Sequence, residues 1–288
     1  MMCLCAAADR RYGESEGELT EIVAESRLPI WPTARRSYLH LWDRRHDLRL
    51  PLMIVFTVQL LLLPIDMIGS WGSGLPAGWV FGLRAISVVV RAVVSFSFVV
   101  AVHRQVLLGE APVCRKVFRL RARLFRYIGG WLFLGVLPVM IITAFMIWSA
   151  ILMHFSFAGS ASHKLIEGAA TIATALATWF FLRSMLLLPA TAVGARQGWA
   201  MSWDATKGNV LRLLALLLLV ITPAALLEPA LWSLVRFVSE GSIAVTNVMA
   251  IPATIFACAT DAVVLVLFPI ALSLSYDVLV RGGTPAAR

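Results

Sequence analysis

Six apolar runs, each long enough to cross a bilayer as a helix, constrain this chain more than any motif in it. They cover roughly residues 50–69, 79–102, 127–155, 165–193, 211–235 and 250–276. A hydrocarbon layer about 30 Å thick takes roughly 20 residues of helix. Within it each backbone N–H and C=O has to be satisfied inside the protein, which a helix does on its own. The expected fold class is therefore all-α: a polytopic membrane protein with six transmembrane helices in one bundle. Hydrophobic residues at 60%, charged residues at 14% and a mean hydropathy of +0.84 lie outside the soluble globular range and agree with that expectation.

The charge sets the orientation. The formal net charge is +9, but the basic residues gather between the apolar runs, which is a topology signal and not a nucleic-acid footprint. The first, third, fifth and last extramembrane segments hold about 20 of the 25 Lys and Arg residues, so these segments and both termini are expected on the cytoplasmic side. The loop between the second and third runs is the most basic, and Arg115, Lys116, Arg119, Arg121 and Arg123 in it are expected to meet lipid headgroups. Tryptophans follow the same layers. Trp71, Trp79, Trp148 and Trp232 fall at the outer ends, Trp42, Trp131, Trp199 and Trp203 at the inner ends, and Trp179 alone is deep.

Residues 1–31 are polar and acidic and read as a flexible cytoplasmic arm, with 32–280 as the membrane domain and 281–288 as a short tail. After Pro32, Thr33 is placed to cap a helix whose apolar face holds Tyr38, Leu41, Trp42 and Leu48, with Arg35, Arg36, Arg44 and Arg45 on the rest; such a helix is expected to lie on the headgroups. Prolines at 64, 138, 189, 223 and 269 predict kinks. In the fourth run Ala169, Ala173 and Ala177 form one row of small residues and Ala170, Thr174 and Thr178 the next, which lets neighbouring helices approach closely. Between the fourth and fifth runs, Trp199 and Trp203 share a helical face. A short interfacial helix with both rings at the headgroups is expected there.

Polar residues inside the runs are the one constellation with possible chemistry. Counted at 1.5 Å per residue from the cytoplasmic ends, Gln59, Arg91, Arg183 and Asp261 share a layer roughly 14 to 20 Å deep. Asp66, Arg84 and Glu228 form an outer layer at roughly 24 to 27 Å. An ionised side chain at a helix centre costs about 2.5 to 3.5 kcal/mol, so Asp261 is expected to pair with Arg91 or Arg183. Two arginines against one aspartate leave a positive charge that could hold a phosphate or carboxylate. The four cysteines, Cys3, Cys5, Cys114 and Cys258, lack metal-ligand spacing beyond Cys3-x-Cys5 and read as free thiols. No nucleophile elbow, HExxH or Walker loop occurs. No catalytic residue, metal site or cofactor is expected.

The pattern RSMLLLPATAVG, then SWDATKGN, with HRQVLLGE earlier and LSLSYDVL near the end, resembles a family of bacterial inner-membrane proteins similar to the membrane domain attached to some glycerophosphoryl diester phosphodiesterases. The resemblance implies a six-helix module in the inner (plasma) membrane. The phosphodiesterase chemistry belongs to a separate soluble barrel with no counterpart in this sequence, and His103-Arg104 is followed by Gln105 where the catalytic signature has glycine, so no catalytic residue carries over. Two functions are expected to compete. One is a non-catalytic membrane module contacting lipids, a partner protein or a second copy of itself. The other is a transporter or channel for a small anionic or amphipathic solute that uses the mid-membrane Arg/Asp layer.

Overall fold

A computed structural model of the chain describes residues 27–68, 76–112, 117–118, 122–155, 160–195, 199–239 and 243–282. Among them regular structure is helical throughout, and six stretches are long and apolar enough to span a membrane: Arg45–Ile65, Gly78–Leu108, Ala122–Phe145, Gly168–Val193, Val210–Val238 and Ile251–Arg281. The chain is an all-α, multi-pass integral membrane protein.

Helix α1 (Ile30–Asp43) does not begin at a Thr33 cap. Pro32 sits in its first turn, where a missing N–H costs nothing, and Thr33 N donates to Pro29 O at 3.1 Å. Nor does α1 only lie on the headgroups. It packs against α8 (Val210–Ser239) and α9 (Ile243–Arg281) and buries Thr33, Ala34 and Ser37, while Trp31, Leu39 and Trp42 face outward. Small residues win the buried face because they let helix backbones approach. The domain also starts earlier than 32. Leu28 is fully buried, its N–H donates to Asn209 Oδ1 at 3.0 Å, and Arg212 Nη1 donates to Leu28 O at 3.3 Å. Residues 1–26 of the arm lie outside the described residues.

After a break at Arg44, α2 (Arg45–Ile68) begins a turn earlier than the apolar run, which places Pro51 inside the helix. Helix α3 (Ala77–Leu108) continues six residues past the expected 102 and closes on Gly109. That glycine has φ 68° and its N–H returns to Gln105 O at 3.0 Å, the left-handed stop that glycine adopts without a Cβ penalty. His103 and Arg104 therefore ride on a helix. Helix α4 (Ala122–Phe155) likewise takes in Arg123 and Arg126. Arg115, Lys116, Arg119 and Arg121 lie outside the described residues.

The fourth span is two helices, α5 (Ser160–Ser184) and α6 (Leu187–Val193). Pro189 cannot donate to Met185 O, and Leu188 N takes that carbonyl instead at 3.0 Å. Helix α6 ends in a Schellman motif: Ala195 N donates to Ala190 O at 3.0 Å, Gly194 N to Thr191 O at 3.1 Å, and Gly194 has φ 78°. The expected short helix follows as α7 (Trp199–Ala205).

Helix α9 is the axis of the bundle. It touches α8, α3, α1, α2 and α6, and half of its spanning window is buried, against 6% for α4 at the periphery. The larger core, which includes Leu186, Leu213, Leu216, Val220 and Leu272, and a smaller one of Leu48, Val55, Phe98, Val102, Val266 and Ile270 both draw on α9. Three residues before Pro223, inside α8, the Val220 carbonyl accepts a hydrogen bond from Tyr38 Oη at 2.9 Å. A phenol on α1 thus ties to the backbone of α8.

Candidate functional site

The polar residues collect at the end of the bundle where α1, α3, α6 and α9 finish, which the charge distribution identifies as the basic end. Helix carboxyl ends expose unsatisfied carbonyls and a partial negative charge, and arginines repeatedly take them here. Arg45 Nη1 donates to Trp42 O at 2.7 Å at the end of α1. Arg281 Nη1 donates to Leu107 O at 3.1 Å at the end of α3. Arg104 Nη1 donates to Ala192 O at 3.4 Å at the end of α6, and its other face holds Glu110 through Nε at 2.9 Å and through Nη2.

Arg183 is the most elaborated of these arginines. The α5–α6 break leaves its own carbonyl without the helical donor four residues on, and Ser202 Oγ fills that place at 2.6 Å. Thr206 Oγ1 donates to Ser202 O at 2.8 Å. Trp203 Nε1 donates to Ser184 Oγ at 3.3 Å. Helix α7 is thereby fastened to the end of α5. The Arg183 guanidinium donates to Trp203 O from Nη2 at 2.5 Å and to Thr206 Oγ1 from Nε at 3.5 Å. Its Cζ lies 4.4 Å from the Trp203 ring centroid and 5.1 Å from that of Trp179. Phe180 and Trp199 extend the aromatic wall, with centroids 5.0 Å apart, and Phe133 of α4 stands edge-on to Trp199 at 4.8 Å. Among the described residues Arg183 forms no ion pair. Indole faces and carbonyl oxygen hold its charge instead.

The expected pairing of Asp261 with an arginine is not formed. No ion pair joins Asp261 to Arg91 or Arg183 among the described residues, and Asp261 is exposed on α9. The break at Met185 and Leu186 ends α5 at Ser184 and brings the Arg183 guanidinium onto α7. Gln59 remains inside α2 with Oε1 buried and unpartnered. Arg91, half-buried on α3, Glu228 on α8 and Asp261 all lie within electrostatic reach of Cys258 on α9. Glu228 also lines a groove of about 320 Å³ with Pro229, Trp232, Ser233 and Arg236. Arg84 is exposed, and the side chain of Asp66 lies outside the described residues. Trp199 and Trp203 are half-buried in the aromatic wall, and Arg123 is exposed.

A third cluster was not visible from spacing. His103 is fully buried; its Nδ1 lies 2.6 Å from Ser273 Oγ and its Nε2 3.3 Å from Tyr127 Oη, which ties α3 to α9 and α4. Residues 103, 127 and 273 sit in different spans, and no periodicity connects them.

Fold and site together define a six-span membrane bundle, broken between α5 and α6 and stitched at its basic end by arginine-to-carbonyl contacts. The chain matches no protein-family model, no curated protein and no solved structure.

Proposed function

We propose that the chain is a non-catalytic membrane module of the inner membrane whose basic, indole-rich end contacts lipids or a partner protein. The observation that supports it is the Arg183 cluster: a cation held by Trp179 and Trp203 at the end of a span, the composition and depth that suit a headgroup region. Two of the four sequence motifs behind the resemblance to phosphodiesterase membrane domains cover the same ground. RSMLLLPATAVG runs from Arg183 through α6 to its glycine stop, and SWDATKGN supplies Ser202, Trp203 and Thr206. Purification of the full chain in mild detergent, with identification of everything that accompanies it, tests the reading. Reproducible enrichment of anionic lipid or of one protein is expected; a bare chain that catalyses solute flux in vesicles would overturn it.

A transport reading draws on a different observation, the electrostatic reach of Cys258 on α9 to Arg91 of α3, Glu228 of α8 and Asp261. In that case Asp261→Asn abolishes flux of a small anion, while the lipids that accompany the protein stay the same.

A further inference from the structure

We propose that the groove between α5 and α8 seats one acyl chain of an anionic phospholipid from the leaflet on the basic side, with the headgroup at Arg183. The inference rests on the lipid-contact reading above and names its ligand. The groove holds about 970 Å³, and its walls are Ala170, Thr174, Thr178 and Leu182 of α5 against Leu211 and Leu214 of α8. The two rows of small residues in α5 divide the work. Ala173 and Ala177 are buried, whereas Ala170, Thr174 and Thr178 are left on the groove side. Thr174 Oγ1 donates to Ala170 O at 2.9 Å, so this wall presents methyl groups and no free hydroxyl donor at that position.

Length and charge select the occupant. From Ala170 to Leu182 the α5 wall is about 18 Å long at 1.5 Å per residue, close to one leaflet's half of a core roughly 30 Å thick. On α8 only Val210, Leu211 and Leu214, at the start of that helix, line the groove. The helices therefore meet at the basic end and part toward the other side, a shape for a chain entering from one leaflet and not for a helix crossing both. Trp179 is shared between groove and cage: it lines the first and stacks on Arg183 in the second. Arg183 directly follows Leu182, its Nε and Nη2 are engaged by Thr206 and Trp203, and its remaining donors have no carboxylate among the described residues. A guanidinium has five N–H donors and favours bidentate binding of a phosphodiester. Lys207, exposed, lies three residues before Val210, which lines the groove, and adds to the positive field there.

The test uses the full chain, stripped of lipid in mild detergent and titrated with phosphatidylglycerol or phosphatidylcholine of equal chain length, with bound lipid read by native mass spectrometry. Phosphatidylglycerol is expected to bind about tenfold more tightly, the worth of one charge-assisted contact. Thr174→Phe fills the groove without touching the cage and lowers retention of both lipids. Arg183→Gln erases the preference between them; if that variant does not fold, Thr174→Phe decides. Equal binding of the two lipids, or unchanged retention in Thr174→Phe, overturns the proposal while leaving lipid contact elsewhere on the module intact. Displacement of phosphatidylglycerol by millimolar inorganic phosphate overturns it in favour of a free-anion site. Disulfide dimers of Thr174→Cys would assign the groove to a second copy.

Discussion

Thr206 shows how much one hydroxyl can carry in this bundle. Its Oγ1 donates to Ser202 O at 2.8 Å and accepts from Arg183 Nε at 3.5 Å, so Thr206→Val keeps the shape and removes both. Ser202 O keeps the Thr206 N–H at 3.1 Å, so a loss of about 0.5 to 1.5 kcal/mol follows, the net worth of a hydrogen bond, and it is measured as a lower melting temperature in detergent with altered Trp203 fluorescence. Asp261 is the opposite case. It is exposed and pairs with neither arginine, so Asp261→Ala leaves the yield of folded protein unchanged, and Arg183→Leu on top of it brings a loss and no rescue. A yield that falls and is then restored by Arg183→Leu would reinstate the pairing. His40 carries the pH dependence of α1. Burial first, then the Arg44 charge, pushes its pKa below the ordinary 6.5, and its Nε2 is buried with no hydrogen-bond partner among the described residues. The folded protein keeps this ring neutral while the unfolded chain takes up a proton. The stability is thus complete above pH 6.5 and declines as pH falls below it. His40→Gln removes that decline from a series of melting curves between pH 7.5 and 5.

At the scale of elements, the turn after α6 is the most exposed to substitution. Gly194 has φ 78°, and an alanine there meets the left-handed penalty of about 1 to 2 kcal/mol, though a Cβ would find Arg123 Nε only at 3.8 Å and no clash. Gly194→Ala is expected to lower the melting temperature and loosen Arg104 from Ala192 O, read as faster hydrogen exchange in residues 190–195. Existence and order of the spanning helices were legible from hydropathy because lipid is the solvent and every span must be apolar. Their faces were not. Core and lipid are equally apolar, so nothing in α9 announces that it is the axis or in α4 that it is peripheral. The docking of α1 escaped for a related reason: its exposed side holds Trp31, Leu39 and Trp42, and its buried side the small and polar Thr33, Ala34 and Ser37. The Arg183 cage was half legible. The tryptophan pair and α7 follow from a four-residue spacing, but the guanidinium's choice of indoles over Asp261 depends on the break at Met185, which a depth count along one straight helix cannot register.

Across the whole molecule, contacts between parts of the chain far apart in sequence tie the residues before and within α1 to Asn209, α8 and α9. Leu28 and Asn209 are 181 positions apart, Tyr38 and Val220 182. A ribosome adding about 5 to 20 residues per second needs roughly 10 to 40 s to cover that interval. For that time Leu28 N–H, Leu28 O and the Tyr38 phenol have no partner of their own, and α1 waits at the membrane surface beside spans already inserted. The final clasp of the bundle is thus a late event, set by the emergence of the fifth and sixth spans, since α8 and α9 both pack on α1, and not by the order in which the first helices were made. A chain truncated at Gly208 should leave α1 open to protease at Arg35 and Arg36, and the full chain, with α8 and α9 both present, should protect it.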